Sequence, residues 1–225
     1  MHIEPGLVAD SKLWLSYVTA AGAGTFALKA AAQTLRDRGA LSLFTRSVVT
    51  TALVFCFFEV LPHYPIGVSE VHLILGSTLF LIFGMAPAAI GLALGLLLQG
   101  LFFAPFDLPQ YGMNVTTLLV PLFALQAVAE RTIKRETAYV DLKYRQALLL
   151  STIDQAGIVS WVAFWAIYGQ GFSATNLESI ATFGVAYMAV IIVEPLADLL
   201  VLAVVKGLHS LKGSGLVERR LFDAA

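Results

Sequence analysis

Seven apolar runs, parted by short polar breaks, make up most of this chain: residues 13–35, 47–61, 71–86, 88–103, 115–129, 147–168 and 180–205. A helix that crosses a bilayer needs about 20 apolar residues. The first, sixth and seventh runs reach that length, and the four between them are short enough to be tucked among neighbours or to re-enter. The breaks carry chain-turning residues: Pro62 and Pro65, Pro87, Pro105 and Pro109, Gly169 and Gly171. Only 13% of the 225 residues are charged, against roughly a quarter in soluble domains, so the chain lacks the polar groups to cover a surface in water. The expected fold class is all-α, a polytopic membrane protein of about seven transmembrane helices forming one integral membrane domain over residues 1–225.

Charge placement orients that domain. Lys29, Arg36, Arg38 and Arg46 flank the first break, Arg131, Lys134, Arg135, Lys143 and Arg145 follow the fifth run, and Lys206, Lys212, Arg219 and Arg220 follow the seventh. Seven crossings put these groups on one side, which the positive-inside rule makes cytoplasmic. The N-terminus, with residues 1–12 as an external segment, then lies outside, together with the loops 62–70 and 104–113. Residues 206–225 form a cytoplasmic tail. The expected location is the cytoplasmic (inner) membrane of a bacterium or archaeon, with the lipid bilayer as a partner.

Several function classes fall away. The net charge is −1 and the basic residues are dispersed, so nucleic acid is not an expected partner. No GxxxxGK[ST] phosphate loop is present, so any ATP hydrolysis must come from other subunits. Neither HExxH nor GxSxG occurs, and the chain is not expected to be an enzyme. The single cysteine, Cys56, reads as a small buried hydrophobe.

The extreme N-terminus does carry chemistry. Met1-His2-Ile3-Glu4-Pro5 has no cationic stretch before an apolar core, so it does not read as a signal peptide. His2 is too bulky for removal of the preceding methionine, so Met1 is expected to keep a free amine. That amine, the His2 amide and the His2 imidazole would form adjoining chelate rings around one ion, and a fourth nitrogen would complete a planar set suited to Ni(II) or Cu(II). Such binding displaces the amide proton and weakens at low pH. His72 and His63 belong to the same outer face, whereas His209 is cytoplasmic and has no expected role. Among the polar residues in the runs, Gln99 and Asn114 sit near outer ends, suited to interhelical hydrogen bonds or to holding an imidazole. Glu194 and Asp198 share one helical face about Pro195, open to a transport role, a partner contact or a cytoplasmic-edge position. Asp154 and Glu59 read as interfacial. Small residues at Ala23, Ala27 and Ala31, and at Gly91 and Gly95, suit close helix contacts, within the chain or with a partner subunit.

Met1-His2-Ile3-x-x-Gly6 at the start, Ser69-Glu70-Val71-His72-Leu73, and Gln99-Gly100-Leu101-Phe102-Phe103 followed by Gly112-Met113-Asn114 resemble the CbiM/NikM family. Its members are the substrate-binding membrane components of energy-coupling factor (ECF) transporters for cobalt and nickel. The resemblance is specific from Met1 to about Pro121 and looser beyond. It implies metal ligands Met1, His2 and His72, with His63 as a further candidate and Ser69, Gln99 and Asn114 supporting them. No permanently bound cofactor is implied, since Ni(II) or Co(II) would be the transported substrate. The implied partners are a CbiQ/NikQ-like membrane coupling subunit, CbiO/NikO-like ATPases and a small accessory membrane subunit. Asp107-Leu108 stands where relatives often have a Gly-Gly pair, and Glu70 where a small residue is common, which leaves nickel against cobalt open. A stand-alone secondary metal permease is the main alternative, and an intramembrane metal-dependent enzyme using Asp154, Glu194 or Asp198 a further one.

Overall fold

The computed structural model describes residues 2–134 and 136–210. Met1, Arg135 and the tail beyond Ser210, with Lys212, Arg219 and Arg220, lie outside the described residues. Six α-helices make up the body: α1 Trp14–Glu59, α2 Gly76–Phe83, α3 Met85–Phe102, α4 Tyr111–Thr132, α5 Tyr144–Gln170 and α6 Ala174–Ser210. Five of the described helices, all but α2, are long and apolar enough to cross a membrane.

The first and second apolar runs are joined in α1. A straight helix of its 46 residues would be about 70 Å long, more than twice the roughly 30 Å of a hydrocarbon core. It is not straight. Gly39 breaks it at φ 80, ψ 165, a conformation essentially reserved for glycine. The two halves fold back on each other, because Ser16 near one end packs on Gly112 of α4 and Phe58 near the other packs on the His2 ring 5.9 Å away. Both ends of α1 thus reach the N-terminal segment.

The first half lies along α4, with Phe26 and Phe123 ring centroids 5.7 Å apart. The second half lies along α3, and here Gly91 and Gly95 find their use. A Cβ at Gly91 would sit 2.5 Å from Thr50, and one at Gly95 2.6 Å from Val54, so only glycine allows the backbones this close. These glycines therefore serve contacts within the chain. Gly84 (φ 88) makes the sharp reversal from α2 to α3, beside Arg46, whose guanidinium donates to the Phe83 carbonyl at 2.7 Å.

The third run differs from an uninterrupted helix. The expected outer loop is a hairpin of β1 Tyr64–Ile66 and β2 Ser69–Val71, antiparallel, with Pro65 opposite Glu70. The chain then continues without helix until α2 begins at Gly76. His72 accordingly sits on extended backbone and does not open a helix. The loop between α3 and α4 holds a 3-10 turn, Pro105–Gln110, and α4 starts early enough for Asn114 to fall in its first turn.

Three further placements correct the expectations. Cys56 is exposed on the outside of α1, turned away from the core. Asp154 is not interfacial: it is 2% exposed, in the interior of α5 beside Gly76. Glu194 and Asp198 are likewise buried and face α2, so a contact with a partner subunit is not open to them.

Candidate metal centre

The N-terminal segment is held as a third strand. Ile3 bridges Ser69 antiparallel to β2, the Glu4 N–H donates to the Val68 carbonyl at 3.2 Å and the Glu70 N–H to the His2 carbonyl at 2.9 Å. The Ser69 hydroxyl donates to the same His2 carbonyl at 2.8 Å. From the helical side, Asn114 Oδ1 accepts the Ile3 N–H at 2.9 Å. Ile3 itself is fully buried with Val8, Leu13, Met113 and Trp165. Strand pairing, an amide acceptor and an apolar anchor therefore pin the residue after His2, which leaves the His2 ring little freedom.

That ring is 3% exposed and meets two carboxylates. Its Nδ1 lies 2.6 Å from Asp107 Oδ2 and 3.5 Å from Glu70 Oε2. His72 Nε2 lies 2.9 Å from the same Glu70 oxygen. One nitrogen of each imidazole thus converges on Glu70, and the ring centroids are 5.4 Å apart. His2, Glu70 and His72 offer one ligand atom each, all within 4.8 Å of one another, a spacing that can hold a metal ion. The opposite nitrogens, His2 Nε2 and His72 Nδ1, are buried with no hydrogen-bond partner among the described residues. A proton on the carboxylate-facing nitrogen of each ring keeps its hydrogen bond to Asp107 or Glu70.

Burial favours the neutral form of the His2 ring, the form that ligates metals. It pulls the His2 pKa below the usual 6.5 against the opposing pull of Asp107 and Glu70. Glu4 moves the other way. Burial raises its carboxyl above the usual 4.5, and repulsion from Glu70 and Asp107 adds to that.

Gln99 lines a small cavity of about 10 Å³ together with His2, Asp107 and Asn114, room for about one water. His63 stacks on His72 with centroids 4.9 Å apart, but its Nδ1 donates to the Leu61 carbonyl at 3.2 Å, and it is outside the close group. Asp107 is the residue whose importance the sequence underplays, and its signal was the departure from Gly-Gly.

Over residues 2–210 the chain matches the CbiM family, described as "Cobalt uptake substrate-specific transmembrane region". The chain belongs to the CbiM family. Two solved structures share the fold of this CbiM chain. One, described as a transition metal transporter, is 19% identical at a TM-score of 0.67, covering 99% of this chain and 98% of that one. A truncated transition metal transporter is 18% identical at a TM-score of 0.62, covering 91% and 96%. No curated protein matches. Family and apolar helices together make this a multi-pass membrane protein of a metal-transport family, which is consistent with its not being an enzyme.

Proposed function

We propose that the chain is the substrate-capture component of an ECF-type ABC importer for Ni(II) or Co(II). The observation that carries this reading is the convergence of His2 Nδ1 and His72 Nε2 on one point beside Glu70, at the end of the molecule where the N-terminus is anchored. Nδ1 is the nitrogen that closes a six-membered ring with the residue's own amide. An ion held by the Met1 amine, the His2 amide and the His2 Nδ1 would therefore lie toward the His72 Nε2, which supplies the fourth nitrogen. Asp107 and Glu70 now hold the protons of those two imidazoles, and on binding they give way or contribute oxygen contacts. Ser69, Asn114 and Gln99 keep the strand and the ring in register.

The chain crosses the membrane seven times in this reading: two halves of α1, the stretch from Val71 through α2, then α3, α4, α5 and α6. The fold-back at Gly39 and the turn at Gly84 support the count. Lys29, Arg36, Arg38, Arg46, Arg131, Lys134, Lys143, Arg145 and Lys206 then share the cytoplasmic side. The metal site faces outward, and partner subunits supply both ATP hydrolysis and the movement that releases the ion inward.

The test is calorimetric titration of Ni(II) and Co(II) into detergent-purified protein tagged at its C-terminus, beside a variant with one extra residue before Met1. The insertion leaves every side chain in place and shifts only the amine relative to His2. Loss of binding in the variant supports the chelate, and unchanged binding refutes the amine's part in it. No binding by either form refutes metal capture, and transport in cells lacking any coupling ATPase would favour a permease.

A further inference from the structure

Between β2 and α2 the residues His72, Leu73, Ile74 and Leu75 run without helix into the apolar interior, so their N–H groups have no intrahelical acceptor. An unpaired amide in an apolar interior is costly. One side chain meets two of these amides. Glu194 of α6 accepts the Ile74 N–H at 2.9 Å through Oε2 and the Leu75 N–H at 2.7 Å through Oε1. Glu194 is held in turn by the Gln155 amide of α5, whose Oε1 accepts from Tyr187 at 2.9 Å. One turn along α6, Asp198 accepts the hydroxyls of Ser77 and Thr78. Two carboxylates of α6 thus grip the last residues before α2 and its first turn.

The gripped backbone is strained. Leu75 has φ 54, alone among the described non-glycine residues in being positive. Such a conformation is unfavourable for a side chain other than glycine and persists only where the surroundings over-determine it. His72 is two residues from the first gripped amide, with no helix between to absorb a shift. Its ring touches Phe58, His63, His2 and Glu70, none of them on α6.

We propose that Glu194 is a positioning residue for the metal site: by binding the Ile74 and Leu75 amides it fixes the backbone that carries His72, and so ties metal affinity to the position of α6. This rests on His72 being a metal ligand. A movement of α6 that withdraws Glu194 would let Leu75 relax out of its left-handed conformation and carry His72 away from His2. The ion would lose a ligand without any direct contact between α6 and the site.

The test is a double-mutant cycle on the full chain in detergent with Glu194→Gln, His72→Ala and the pair. The Gln amide keeps one acceptor but sets an NH2 group against an N–H. Cu(II), the tightest-binding ion of the divalent series, keeps the residual affinity of the His72→Ala protein measurable. Glu194→Gln is expected to weaken binding by about tenfold or more and to move the copper absorption and EPR spectra toward those of His72→Ala. In the His72→Ala background it should change affinity by less than about twofold. Unchanged affinity and spectra in Glu194→Gln, or an equal loss in both backgrounds, would overturn the proposal. If Glu194→Gln does not fold, Gln155→Met, which frees the carboxylate from α5 and keeps both amide bonds, should give a smaller loss with the same spectral shift. A folded Gln155→Met protein that binds like the parent would then overturn it. Absence of binding by the parent protein would refute metal capture itself, a different outcome from a parent that binds and a Glu194 substitution without effect.

Discussion

His2 Nδ1 donates to Asp107 Oδ2 at 2.6 Å across 105 residues of chain. This bond ties the N-terminal strand to the 3-10 turn between α3 and α4, and it uses the nitrogen that a terminal chelate needs. Asp107 is buried as well, so its charge is poorly screened and acts strongly on anything bound at the His2 ring.

Asp107→Asn separates the charge from the hydrogen bond, since the amide oxygen still accepts from Nδ1–H. We expect Ni(II) binding to weaken by about tenfold, and by the same factor at low and high salt, because a buried charge is little screened. Calorimetric titrations at two salt concentrations check this. Binding as tight as the parent's would mean that the carboxylate only competes with the ion.

His72 and His63 should separate cleanly. His72→Ala removes a nitrogen of the close group, and tight Ni(II) or Co(II) binding should fall by more than about a hundredfold, beyond the 10–100-fold usual for supporting residues. His63→Ala removes a stacked ring whose own Nδ1 is engaged by Leu61. It should cost at most about 0.5–1.5 kcal/mol of stability and leave the tight site in place. Titrations of the two purified variants, with thermal melts beside them, give both answers.

Acid should destabilise the metal-free protein through the His2 ring. Burial lowers the pKa of His2 below 6.5 in the folded state, so below that value the unfolded chain binds more protons than the folded one. Stability is then full above pH 6.5 and falls as the pH drops toward the folded-state value. Thermal melts of metal-free protein between about pH 8 and 5 should show a falling midpoint across that window, and the His2→Ala variant should show a flatter one.

The outer site was legible because its chemistry is local to short motifs. A histidine at position two and Ser69-Glu70-Val71-His72 each state their chemistry within a few residues, and the fold had only to bring them together. The interior polar cluster was not legible. Hydropathy counts side chains singly, whereas the need for Glu194 arises from backbone amides that lose their helix between His72 and Gly76, and Asp198 serves the Ser77 and Thr78 hydroxyls of the first turn of α2. Asp154 escapes the hydropathy pattern for the same reason: its place beside Gly76 depends on α2 starting late. Pro62 and Pro65 marked a break but not its form, because the hairpin depends on the N-terminal strand arriving from a distant part of the chain.

Gly39 lies among basic residues that give no sign of its role, yet it decides whether α1 is one helix or two. At φ 80, ψ 165 it stands where any side chain is strained, at a cost of about 1–3 kcal/mol. Nothing lies within 4 Å of a Cβ there, so steric contact with the rest of the protein adds no penalty and the backbone alone is tested. Gly39→Ala should favour continuing the helix, which would pull Ser16 from Gly112 and Phe58 from His2, since both contacts need the fold-back. We expect poorly monodisperse protein with weakened Ni(II) binding, although residue 39 is far along the chain from every ligand. Gly22→Ala provides the control: it also meets nothing within 4 Å but has no positive φ, and it should behave like the parent in size-exclusion profile and titration alike. Equal behaviour of the two variants would mean that the reversal is fixed by the packing of α1 on α3 and α4, with no need for a glycine at the bend.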